Sequence, residues 1–150
     1  MQNTRLVSSK RFWVCAALVS IATLMLDFAI HGWWLDADYQ SLPGLYRPKA
    51  EAGAYFGWML LAHACIGTAL TWLYAQGDDR GKPVIGQGLR FGLALALFSA
   101  IPGYLVYYAV QPLPAVLVAK QILAGTVALL LLGVFVAWLQ PGRRVLADPD

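Results

Sequence analysis

Four long, nearly uninterrupted apolar stretches run through this 150-residue chain and decide what it can fold into. A helix needs about 20 mostly apolar residues to cross a hydrocarbon core roughly 30 Å thick. Residues 12–35, 54–75, 88–110 and 113–139 each reach that length. None shows the period-two alternation of a half-buried strand. In lipid a helix satisfies its own backbone groups, whereas an open sheet leaves an edge unpaired. Charged residues make up 13% of the chain and hydrophobic ones 59%, against roughly 25% charged in a soluble domain. A soluble enzyme, a disordered chain and a nucleic-acid module are thereby excluded, whatever the net charge of +3 suggests. The expected fold is one all-α integral membrane domain, an antiparallel up-down bundle of four transmembrane helices.

Basic residues set the expected orientation, because cytoplasmic loops carry an excess of Lys and Arg. Arg5, Lys10 and Arg11 precede the first helix, Arg80, Lys82 and Arg90 flank the second loop, and Arg143 and Arg144 follow the last helix. On the opposite side Arg47 and Lys49 are diluted by Asp36, Asp38 and Glu51. Both termini are therefore expected in the cytoplasm of a bacterial cell, with the chain multi-pass in its cytoplasmic membrane. The first span is too long for the apolar region of a signal peptide and no small-x-small cleavage site follows it. It reads as a retained anchor. Cys15 and Cys65 fall at different depths, outside any Cys-x-x-Cys, and read as buried free thiols.

Two other features invite over-reading. The segment from Gly77 to Pro83 looks like a phosphate loop, but its glycine spacing is short and Pro83 replaces the magnesium-binding hydroxyl. It is a solvated turn. Gly88, Gly92, Ala96 and Ala100 recur every four residues, a face on which backbones approach closely. That face serves in-chain packing or contact with a second copy or a larger complex. The outer loop of about 18 residues holds Pro43-Gly44 and Tyr46-Arg47-Pro48, and reads equally as a cap or a connector.

Ionisable residues inside a span cost about 2.5–3.5 kcal/mol each on insertion scales, so each one marks a site hypothesis. Asp27 and His31 lie in the first stretch, His63 in the second, and Lys120 with Gln121 in the fourth. At about 1.5 Å per residue, Asp27, His63, Pro102 and Lys120 all fall roughly 10–14 Å below the outer rim. Ser20, Thr23, Asp27, His31 and Trp34 recur at helical spacing and form one polar stripe that must face the bundle. Pro102-Gly103 should kink the third helix, and Tyr104 and Tyr108 add hydroxyls above the kink. Gln121 and Ser99 read as hydrogen-bonding to neighbouring helices.

This cluster supports three readings. In the first, Asp27 pairs with Lys120 and the network is structural, as in an accessory or assembly subunit of a membrane complex with no enzymatic activity. In the second, Asp27, His63 and Lys120 bind a small solute or relay protons in a transporter. In the third, Asp27, His31 and His63 form a two-histidine, one-carboxylate site for zinc or iron. Lys120 argues against the third by competing for Asp27, and the leading expectation is no cofactor. No nucleophile–base pair or nucleotide loop appears. The expected partners are the lipid bilayer and, through the small-residue face, another membrane chain.

The segment Leu26-Asp27-Phe28-Ala29-Ile30-His31-Gly32, with Tyr39 and Tyr46-Arg47-Pro48, carries a resemblance that runs over most of the chain. Together with Gly88-Leu89-Arg90-Phe91-Gly92 and Tyr108-Ala109-Val110-Gln111-Pro112-Leu113-Pro114, it resembles small four-helix bacterial inner-membrane proteins without an assigned activity. The resemblance implies the topology and brings no substrate or catalytic residue.

Overall fold

The computed structural model describes residues 9–77 and 82–139. The described residues are helical, with no strand among them beyond an isolated bridge between Pro43 and Tyr46. Four helices are long and apolar enough to cross a membrane: α1 (Lys10–Trp34), α3 (Ala50–Gly77), α4 (Val84–Val110) and α5 (Ala115–Leu139). A short helix, α2 (Asp36–Gln40), lies in the connection after α1. The Gly77–Pro83 turn falls mostly outside the described residues.

Local chemistry explains where these helices begin and bend. Pro83 sits just before α4, which starts at Val84, four residues earlier than expected. Pro112 and Pro114 keep the next connection extended, so α5 starts at Ala115 rather than at residue 113. Two segments wind as π-helix, Phe28–Trp34 in α1 and Ala96–Ala100 in α4. The second lies directly before Pro102, whose missing N–H breaks the regular ladder and is absorbed by the wider turn. The first π segment changes the phase of α1. Trp34 turns outward, half exposed, and Leu35 takes the fully buried position instead. The expected polar stripe therefore stops at His31.

The helices associate as two close pairs, α1 along α3 and α4 along α5, which meet mainly through α1 and α5. Close approach is what the small residues provide. A Cβ on Gly88 would lie 2.5 Å from Val134 Cα, and one on Gly92 would lie 2.7 Å from Leu130 Cα. A Cβ on Gly67 would run into Ser20 across the α1–α3 crossing. In lipid such contact lets dispersion hold helices together. The Gly88/Gly92/Ala96 face is thus covered by α5 and is not free for a partner.

Below the polar residues, Val19, Leu70, Tyr74, Leu132, Val136 and Ala137 form a dry core. At the end where α1 starts and α5 finishes, the Arg11 guanidinium donates to the Leu139 carbonyl at 2.7 Å, placing a cation on the negative end of α5. We call this the termini end. At the other end, the loop end, Leu35, Leu113, Leu117 and Val118 bury a second cluster beneath Tyr39, Leu42, Leu45 and Tyr46. The 36–48 connection therefore folds down over the helix ends, as a cap does. Of the two cysteines, Cys15 is buried as expected and Cys65 is exposed.

Candidate functional site

Asp27 stands at the centre of the loop-end half, on the last α-helical turn of α1. Its carboxylate lies 3.8 Å from His31 Nε2, one turn further along α1, and 3.8 Å from His63 Nε2 on α3. Among the described residues its ion-pair contacts are these two imidazoles. Lys120, expected to pair with it, does not: the ammonium bonds both carboxylate oxygens of Asp38 in α2, at 3.0 and 2.9 Å. The reason is reach. Lys120 leans toward the start of its helix, and its four-carbon stem carries the charge past Asp27 to the wetter loop end. Among the described residues Asp27 is thus left without a lysine or arginine, and its side chain is 37% exposed.

The hydrogen bonds fix which imidazole nitrogens can carry protons. His63 Nδ1 faces the Met59 carbonyl at 2.7 Å. A carbonyl only accepts, so Nδ1 carries the hydrogen and a neutral His63 presents a bare lone pair at Nε2. That lone pair looks at a carboxylate oxygen. When His63 is neutral, two acceptors face each other across 3.8 Å, and one shared cation, a proton included, satisfies both.

His31 is held the opposite way. Gln121 Nε2 donates to the Tyr39 hydroxyl at 3.1 Å, and that hydroxyl bonds His31 Nδ1. The Tyr39 oxygen has a second lone pair, so Nε2 decides the direction: it faces the Asp27 carboxylate, an acceptor, which favours the proton of a neutral His31 on Nε2 and Tyr39 donating to Nδ1. From there it points to Tyr104 Oη at 3.3 Å and to Asp27. Burial pushes the Tyr39 hydroxyl above the usual phenol range, so it stays a neutral donor. Gln121 is buried, and its Oε1 has no hydrogen-bond partner among the described residues.

Cavities converge on these groups. One of about 350 Å³ lies among α1, α3, α4 and α5, lined by the polar set Asp27, His31, His63 and Tyr104 and by Leu26, Leu129 and Leu132. A second, of about 680 Å³, runs under the capping loop from Arg47 and Pro43 to Asp27. A third, of about 470 Å³, lies between Tyr46 and Gln121. His31 borders all three and Asp27 the first two.

Several expectations need correction here. Tyr108 is exposed and outside the cluster: α4 lines the cavity with Gly103 and Tyr104, and Tyr107 stands exposed at its edge. Ser99 bonds the Leu95 carbonyl of its own helix at 2.7 Å rather than a neighbour. Gln121 reaches the capping loop. Asp27, His31 and His63 do come together, but no group of three His, Cys, Asp or Glu among the described residues is placed to hold a metal ion. Tyr39 and Asp38, which sequence reasoning left outside the cluster, are its lock to the loop. Their signal was the Asp-Ala-Asp-Tyr run directly after the anchor helix. No family model matches the chain, and neither does any curated protein or solved structure.

Proposed function

We propose that this is a non-enzymatic protein of a bacterial cytoplasmic membrane that binds and releases a small cation, a proton included, as the outward-open state of a small carrier does. The termini end, with Lys10, Arg11, Lys82 and Arg90, is the cytoplasmic one, and the loop end with its acidic residues faces outward. The four long helices then run up and down as a single bundle with both termini inside.

The observation that carries this reading is the facing pair of Asp27 Oδ2 and His63 Nε2, two acceptors when His63 is neutral, with room for one shared cation. A purely structural cluster built on an Asp27–Lys120 pair has lost its central contact to Asp38. The cavity beneath the capping loop supplies a path from outside to Asp27. The apolar core around Leu70, Tyr74 and Leu132 separates the site from the cytoplasmic end, as alternating access requires of one end state.

Proton flux tests the proposal. In liposomes carrying a pH-sensitive dye and an imposed potential, the wild-type protein should acidify the interior faster than empty vesicles. The Asp27→Asn protein should not. Flux that persists in Asp27→Asn, or that never exceeds the empty-vesicle rate, overturns it. The accessory-subunit reading keeps one observation in its favour: only 6% of the most apolar window of α4 is buried, a surface a partner helix would cover. A stoichiometric larger complex recovered in mild detergent decides for that reading.

A further inference from the structure

Helices α3 and α4 meet edge to face through Tyr74 and Phe91, with ring centroids 5.4 Å apart, near the termini end. Beyond that contact they share little packing, and each leans on α1 or α5 instead. The 350 Å³ cavity lies in the gap. Its rim carries the exposed side chains of Ile66 on α3 and of Ser99 and Tyr107 on α4, so it opens sideways, toward the lipid. Inside, the lining joins a polar set, Asp27, His31, His63 and Tyr104, to a larger apolar part that includes Leu26, Ile66, Leu129 and Leu132, with Thr23 and Ser99 adding hydroxyls.

We infer that the cation this site takes is the ammonium head of an amphiphilic amine, which enters from the membrane between α3 and α4. The inference rests on the cation-binding reading above and names its substrate class. Charge chooses the head, because among the described residues the Asp27 carboxyl has no lysine or arginine beside it and lies 3.8 Å from His63 Nε2, an acceptor when that ring is neutral. An ammonium between them donates N–H to the carboxylate and to Nε2, and a proton held there leaves to water. The tail follows from the apolar part of the cavity, which a small inorganic cation would leave unfilled. A cavity of about 350 Å³ is in the range of small-molecule sites, roughly 300–1,000 Å³.

Gly103 supplies the test. It lines the cavity, and a Cβ there has nothing within 4 Å, so a larger side chain has room there to narrow the passage. The protein in phosphatidylcholine nanodiscs is titrated with radiolabelled n-octylammonium, n-octanol and ethylammonium, with Asp27→Asn discs as the lipid blank. About one n-octylammonium per chain should bind above that blank, while n-octanol shows no excess. Ethylammonium should bind at least about tenfold more weakly, and Gly103→Leu should weaken n-octylammonium by about tenfold. Ile66→Trp, at the rim, should act in the same direction if Gly103→Leu does not fold. Ethylammonium as tight as n-octylammonium, with both cleft variants silent, overturns the amphiphile and leaves the cation site standing. Equal n-octanol binding overturns recognition of the head. No excess of either ammonium over Asp27→Asn overturns the inference and the cation site together.

Discussion

Gly88 and Gly103 lie on the same helix and in opposite surroundings. A methyl group on Gly88 would press into the α5 backbone, 2.5 Å from Val134 Cα, whereas one on Gly103 would meet nothing within 4 Å. The termini-end half of the molecule is made of such contact: glycine against glycine, a dry aliphatic core, and Arg11 closing α5. The loop-end half holds cavities bordered by polar groups, beside a smaller apolar cluster at Leu35, Leu113, Leu117 and Val118. Lipid offers no hydrophobic force between helices, so the close seam has to hold the fold for a site that is open and costly. Structure and chemistry are divided along the helix axes.

The largest effect should come from attacking the seam. Gly88→Val or Gly92→Leu forces α4 off α5 against backbone atoms that cannot swing away. Either should cost about 3 kcal/mol or more, visible as a collapse of the melting temperature in detergent. Gly103→Leu should leave that temperature within a few degrees. Similar losses at all three positions would erase the division between the halves.

Next in size is Asp27→Asn. In a structural network its loss is destabilising. Here it removes a carboxyl group of a type that costs about 2.5–3.5 kcal/mol to place within a span on insertion scales, so the melting temperature should hold or rise while flux and ammonium binding disappear. A clear fall in stability would move Asp27 to the structural side.

The anchoring of the capping loop gives a smaller, additive test. Lys120→Met and Asp38→Asn should couple in a double-mutant cycle by roughly 0.5–1 kcal/mol, since the pair is about one-third exposed and partly screened. Lys120→Met and Asp27→Asn should add without coupling. Coupling in the second cycle instead of the first would restore the pairing expected from depth alone.

The smallest effect is at alkaline pH. The Tyr39 hydroxyl is raised above its ordinary value of 10.0 by burial. Its contribution to stability is thus fully present below about pH 10 and declines as pH rises beyond it, because the unfolded chain loses that proton first. Melting temperatures from pH 9 to 11 should fall less steeply for Tyr39→Phe than for the wild type.

The sequence makes the four helices legible because apolar length is a local property. The level of Asp27, His31 and His63 is legible too, since rise per residue fixes depth. What depth does not contain is side-chain reach and helical phase. Lys120 was placed at the right height and bound the wrong aspartate in expectation, because its stem spans the difference to Asp38. Helical spacing points Trp34 inward, and the π turn of Phe28–Trp34 turns it out; Tyr108, one turn beyond Tyr104, stands exposed while Tyr104 alone of the two lines the cavity. Tyr39 was hidden in a loop whose fold depends on Leu35, Leu113 and Leu117, contacts that no local pattern reveals.

The central claim is that the two histidines are held in opposite tautomers, with His63 Nε2 and Asp27 sharing a cation between them. The chain has only these two histidines, so ¹⁵N NMR of histidine-labelled protein in bicelles, assigned with His31→Gln, reads them separately. The prediction is a hydrogen on Nε2 for neutral His31 and on Nδ1 for His63, with the His63 Nε2 signal alone shifting strongly in Asp27→Asn. The same tautomer at both residues, and a His63 Nε2 signal unchanged in Asp27→Asn, would contradict it.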